Sequence, residues 1–84
     1  MRLIFSPEAW EDYLHLQQTD KKTVHRVPEL IKDTMRRPFS GIGKPEPLRF
    51  ALSGFWSRRI TAEHRMVYRV KGSDLEISQL RYHY

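Results

Sequence analysis

Glu46 stands between Pro45 and Pro47, where the backbone is stiff and a carboxylate has a fixed point of origin. Downstream the chain carries Arg49, Arg58, Arg59, Arg65 and Arg81, and it ends on Arg81-Tyr82-His83-Tyr84. These residue types suit acid–base chemistry on a phosphodiester. Metal-free RNA cleavage takes a base for the 2′-OH proton, a cation for the crowded phosphorane and an acid for the 5′ leaving oxygen. A carboxylate can be the base, an arginine fork can span two phosphate oxygens, and a histidine titrating near about 6.5 can be the acid. Taken one at a time, each arginine reads as a solvated strand residue and the terminal run as a frayed strand end. Two tyrosines flanking a histidine point away from that bland reading.

Other chemistries fit less well. His15, His25, His64 and His83 form neither the i, i+4 helical pair nor the two-residue strand alternation of a zinc or iron site. His15 and His25 read as surface residues of a helical hairpin, and His64 as a turn residue. There is no cysteine, which removes disulfides and Cys-based zinc sites and suits a reducing cytoplasm. Gly41-Ile42-Gly43-Lys44 lacks the rest of a phosphate-binding loop. Neither a metal nor another cofactor is expected. Nor is a membrane span, which needs ~20 apolar residues, and the first residues turn polar too early for a signal peptide.

The net charge of +5 points to an acidic partner, and its placement says more. From Lys44 onward there are eight Lys/Arg against four Asp/Glu, whereas the first 43 residues are nearly balanced, seven against six. The excess positive charge therefore lies with the candidate chemistry.

The elements that must position these residues are legible in outline. Eighty-four residues suffice for one domain, 1–84, with a modest core. Leu3-Ile4-Phe5 reads as a short strand. Ser6 suits an N-cap and Pro7 the first helical position, opening a helix to about Gln18. Thr19 or Asp20 can cap a second helix whose Val24, Val27, Ile31 and Met35 share one face. Pro28 inside it is expected to kink it, and Arg37-Pro38 to end it. Phe39 to Pro47, rich in glycine and proline, reads as a loop. Three strands follow: Phe55 to Ile60, Arg65 to Val70, and Leu75 to about Tyr82. The order β-α-α-β-β-β predicts an α+β fold, a helical hairpin on one face of a small antiparallel sheet. Strict alternation in the last strand puts Leu75, Ile77, Gln79, Arg81 and His83 on one face, with Glu76, Ser78, Leu80 and Tyr82 on the other.

Several runs then coincide with one family. Lys44-Pro45-Glu46-Pro47-Leu48, Leu52-Ser53-Gly54-Phe55-Trp56-Ser57-Arg58-Arg59-Ile60-Thr61, Glu63-His64-Arg65 and Arg81-Tyr82-His83-Tyr84 resemble the YoeB toxins of the RelE/ParE superfamily. The likeness covers the whole chain, including Ile31-Lys32-Asp33-Thr34 and the Arg37-Pro38-Phe39 helix exit. It implies a RelE-like fold and a toxin that cuts mRNA in the ribosomal A site. A YefM-like antitoxin would restrain it, with operator DNA reached only through that complex and a homodimer as a further assembly. It also implies roles: Glu46 as general base, His83 as general acid, Arg65 stabilising the phosphorane, and Tyr84 orienting substrate. Arg59 matches a second phosphate-binding arginine, and Lys44, Arg49, Arg58 and Arg81 complete the candidate phosphate contacts. Arg49 stands where members of the family often carry lysine, so a planar fork replaces a point charge. A gyrase-targeting ParE-like toxin would share the fold but needs no such set of Glu46, Arg65, His83 and Tyr84. A non-catalytic nucleic-acid-binding module would need the basic sheet alone.

Overall fold

A computed structural model describes residues 1–82 of the chain. It opens with strand β1 (Arg2–Phe5), followed by helices α1 (Pro7–Thr19) and α2 (Lys21–Arg36). A two-residue strand β2 (Glu46–Pro47), a 3₁₀ turn (Phe50–Leu52), and strands β3 (Trp56–Arg59), β4 (Arg65–Lys71) and β5 (Asp74–Gln79) complete it.

Both helices start where local chemistry allows. The Ser6 hydroxyl accepts from the Ala9 N–H at 3.0 Å, and Pro7 occupies the first turn, where its missing donor is not needed. Asp20, rather than Thr19, caps α2: its carboxylate accepts from the Thr23 N–H at 3.0 Å and from the Thr23 hydroxyl at 2.6 Å. Pro28 lies inside α2, which continues past it to Arg36 and ends at Arg37-Pro38 as expected. Pro28 lies on the exposed side, where water can serve the carbonyl left without its N–H.

The strands form one sheet in the order β1-β5-β4-β3-β2. It is mixed rather than wholly antiparallel, because β1 runs parallel to β5, pairing Leu3 with Leu75 and Phe5 with Ile77. That seam continues beyond β1: the Ser6 N–H donates to the Ile77 carbonyl at 2.9 Å and the Ser6 hydroxyl to the Ser78 carbonyl at 3.1 Å. The helices cover one face, burying Ala9, Leu16, Val27 and Leu30 against Met66, Tyr68, Leu75, Ile77 and Leu80.

Strict alternation fails once, at Ser78. Tyr68 pairs with Ile77, yet the preceding Val67 pairs with Gln79, so Ser78 is the extra residue of a bulge. The bulge reverses the side-chain phase. Leu80, expected opposite Ile77, joins it in the core, and its N–H donates to the Asp12 carboxylate at 3.0 Å.

Candidate active site

The face of the sheet away from the helices carries the basic residues. Residues directly opposed on antiparallel strands share a face. The register pairs Glu46 with Ser57, Ser57 with Val67, and Arg59 with Arg65. Glu46, Ser57, Arg59 and Arg65 thus gather on this outer face, drawn from three strands. The Arg65 guanidinium donates to the Glu46 carboxylate at 3.1 Å and makes a longer 3.4 Å contact with the Ser57 hydroxyl. Glu46 is 52% exposed and Arg65 only 13%, so the carboxylate faces solvent while the guanidinium is held. Like charges directly opposed across a ladder repel. The Arg59–Arg65 pair is therefore arranged to favour an anion.

The loop leading to Glu46 is fixed from below. At Gly41 (φ +110°) an added Cβ would lie 2.1 Å from the Asp33 carboxylate. At Gly43 (φ +80°) it would press on Leu30 and on the Arg59 carbonyl. The Gly43 carbonyl in turn accepts from the Arg59 N–H at 2.7 Å. Glycine is needed at both positions for its positive φ and its close approach.

Arg58 requires a correction. Expected among the phosphate contacts, it is fully buried on the helix side of β3. Its guanidinium makes five hydrogen bonds: to the Asp33 carboxylate at 2.7 Å, the Tyr68 hydroxyl at 3.2 Å, and the carbonyls of Ile42 (3.0 Å), Ser40 (2.7 Å) and Arg37. No donor remains for RNA. Asp33 also accepts from Arg37 at 2.7 Å and from the Ile42 N–H at 2.9 Å. The Arg37 guanidinium, the Ile42 amide and Arg58 together hold its carboxyl well below the usual carboxylate range. Burial pushes the Tyr68 phenol up, with Arg58 opposing; the hydroxyl donates to the Pro38 carbonyl at 2.7 Å. Arg58 is the staple that ties the loop before Glu46 to the core.

His64 lies in the connection between β3 and β4, as expected of a turn residue, but it is buried there. Its Nδ1 accepts from the Tyr82 N–H at 2.8 Å, and the rings of the two residues lie 5.4 Å apart. The Tyr82 carbonyl accepts from the Arg65 N–H at 3.1 Å. The chain leaving the sheet is thereby clamped beside Arg65. His83 and Tyr84, expected as acid and substrate-orienting residue, lie outside the described residues.

The remaining candidates divide. Arg49 is exposed and shares a hollow with Glu46, Pro47, Leu48 and Phe50. Lys44 is exposed two residues before Glu46, with a positive φ of 51°. Arg81 belongs elsewhere: its guanidinium donates to the Tyr82 hydroxyl at 2.8 Å and borders a separate hollow with His15, Asp20 and His64. Sequence reasoning missed Ser57, although alternation placed it between Phe55 and Arg59. It also missed Asp33 and Tyr68 as anchors of Arg58. Among the described residues, no three His, Asp or Glu side chains come together as metal ligands.

Known proteins resemble this chain in sequence and in fold. Residues 5–84 match the family described as YoeB-like toxin of bacterial type II toxin-antitoxin system. The Toxin YoeB of Escherichia coli (strain K12) is 62% identical over 84 residues, covering all of both chains. The solved YoeB/ParE toxin from Agrobacterium tumefaciens superposes with a TM-score of 0.96 at 51% identity, covering all of both chains. A YoeB-YefM toxin-antitoxin heterotetramer from Staphylococcus aureus contains a chain with a TM-score of 0.89 at 47% identity, covering 100% of this chain and 98% of that one. With a family model matching residues 5–84 and relatives matching the whole length of the chain, this protein belongs to the family of YoeB-like toxins of bacterial type II toxin–antitoxin systems.

Proposed function

We propose that this toxin is a ribosome-dependent mRNA endoribonuclease that cuts in the A site and so inhibits translation. The observation that carries the reading is the Glu46–Arg65 pair at 3.1 Å beside the register-opposed Arg59, on an open basic face. Glu46 takes the 2′-OH proton, and the freed oxygen forms a bond to phosphorus. Arg65 and Arg59 hold the negative charge of the phosphorane. The bond to the 5′ oxygen then breaks, and that oxygen receives a proton from His83. The products are a 2′,3′-cyclic phosphate, open to hydrolysis to a 3′-phosphate, and a 5′-hydroxyl. The roles of His83 and Tyr84 rest on the family resemblance.

An exposed carboxylate is a weak base for a ribose hydroxyl, so much of the rate must come from geometry. In-line positioning alone can contribute ~7–11 kcal/mol. A codon splayed in the A site offers that positioning and a flexible free strand does not. The protein therefore acts where ribosomes are, in the cytoplasm; none of its described helices is long and apolar enough to cross a membrane. A YefM-like antitoxin is its partner, as in the S. aureus complex, and the S. aureus YoeB dimer makes self-association a further state. The test is to incubate translating ribosomes with the toxin and map RNA 5′ ends. Cuts at A-site codons with 5′-hydroxyl ends are expected. Intact mRNA, or 5′-phosphate ends, would overturn the mechanism.

A further inference from the structure

Four residues beyond Glu46, the chain does two unfavourable things at once. Phe50 is 92% exposed, more than any other large apolar side chain described. It also holds φ at +58°, a conformation disfavoured for every residue but glycine. The tip that carries it is well ordered by its own hydrogen bonds. The Leu48 N–H donates to the Phe55 carbonyl at 2.9 Å, Ser53 to Phe50 at 2.9 Å, Leu52 to Arg49 at 3.2 Å and Phe55 to Leu52 at 3.0 Å. A rigid turn thus presents an aromatic ring to solvent, next to Arg49 and above the hollow that both share with Glu46.

Sheet order says which part of an RNA would meet that ring. Arg65 and Arg59 lie inward on β4 and β3, whereas Glu46 and Phe50 lie toward the β2 edge. With the scissile phosphate on the arginines and the 2′-OH at Glu46, the hollow that Phe50 shares with Glu46 lies on the ribose side of the cut, at the sheet edge. We propose, resting on the endoribonuclease reading above, that Phe50 is a stacking platform for the base of the nucleotide that supplies the attacking 2′-OH. Stacking tolerates every base, because each presents a π-face. Phe50 therefore holds the nucleotide without selecting it, and the cation of Arg49 borders the same hollow.

The test compares the parent toxin with Phe50→Ala, Phe50→Trp and Phe50→Gly on ribosomes programmed with two mRNAs. One is unmodified, and the other carries an abasic ribonucleotide, 2′-OH intact, just 5′ of the cut. On unmodified mRNA, Phe50→Ala lowers kcat/KM roughly tenfold or more, the size of one base–aromatic stack, and Phe50→Trp retains it. The abasic mRNA slows the parent by a similar factor and leaves Phe50→Ala no slower than before. Phe50→Gly melts at or above the parent temperature, since glycine accepts the positive φ, yet cuts as slowly as the alanine variant. Equal rates for Phe50→Ala and parent would overturn the proposal, as would an abasic penalty of the same size in both. Loss of antitoxin affinity with cleavage unchanged would also overturn it, assigning the ring to a protein interface. Failure of the endoribonuclease reading shows separately, as a parent that leaves the unmodified mRNA intact.

Discussion

Replacing Arg58 by methionine should strongly destabilise the protein while replacing its neighbour Arg59 should not. Arg58 is wholly enclosed, and its guanidinium serves Asp33, Tyr68 and three loop carbonyls. Methionine fills most of the volume but satisfies none of these acceptors. Breaking one side of a buried charged network costs ~3–5 kcal/mol, a large share of the ~5–15 kcal/mol that holds a small domain together. At ~4–8 °C per kcal/mol for a domain of this size, Arg58→Met should lower Tm by roughly 12 °C at the least. Arg58→Lys should fall between the two, because one ammonium cannot reach acceptors spread around a planar fork. Arg59→Met removes a solvated side chain, so Tm should move by no more than a few degrees, the size of ~0.5 kcal/mol. Its cleavage rate should instead drop roughly tenfold or more, as befits a lost charge-assisted contact of ~1.5–3 kcal/mol. Calorimetry on the purified variants and cleavage on programmed ribosomes check both halves. An Arg58→Met protein melting within about 4 °C of the parent would refute the staple.

Asp33 and Asp74 both have carboxyl groups held down, the first mainly by Arg37 and the second mainly by the Arg2 hydrogen bond. A depressed folded-state pKa contributes stability above the unfolded value of ~3.9 that is lost as pH falls below it; acid melts of Asp33→Asn should show a shallower pH dependence than the parent. Glu46→Gln should slow cleavage roughly 10²-fold or more with Tm unchanged, and His83→Gln should do likewise; equal single-turnover rates would remove that residue from the mechanism. A 2′-deoxy substitution at the cut position should abolish cutting, whereas EDTA that leaves ribosomes intact should not slow it. Gly41→Ala drives a Cβ onto the Asp33 carboxylate, so thermal melts should show a less stable protein, with Arg58 losing part of its support. An acidic antitoxin segment lying across the basic face should raise the melting temperature of the complex well above that of the free toxin; a co-crystal with the antitoxin only on the helices would contradict this.

The helices, their caps and four of the five strands were legible because their signals are local. Ser6-Pro7, Asp20 and Arg37-Pro38 act on their own neighbours. The fate of Arg58 was half legible: it alternates with Trp56 and Ile60, both core-side, whereas Arg59 alternates with Ser57. What could not be read was its partner, since Asp33 lies 25 residues earlier and meets it only after the loop folds over. The parallel seam of β1 with β5 is non-local in the same way, joining residues 72 apart. The Ser78 bulge escaped for another reason. One unpaired residue leaves no mark in a polar–apolar pattern until Leu80 appears on the wrong side. His64 sits in the turn the pattern suggests, and only the return of Tyr82 buries it.

The sheet has two edges, and they are not equivalent. At β2 the Leu48 N–H points inward to the Phe55 carbonyl, so along this extended stretch the outward-turned positions are Pro47 and Pro45. Neither has an N–H to offer. A passing strand would find carbonyls but no donors at Pro45 and Pro47, so a ladder against that stretch loses those bonds. A concentrated, partly synthesised or newly released toxin is thus hindered from self-templating through the border that holds Glu46. The far border, at β1, carries no such proline block. The prolines that stiffen Glu46 therefore also help to keep its surroundings closed to another backbone.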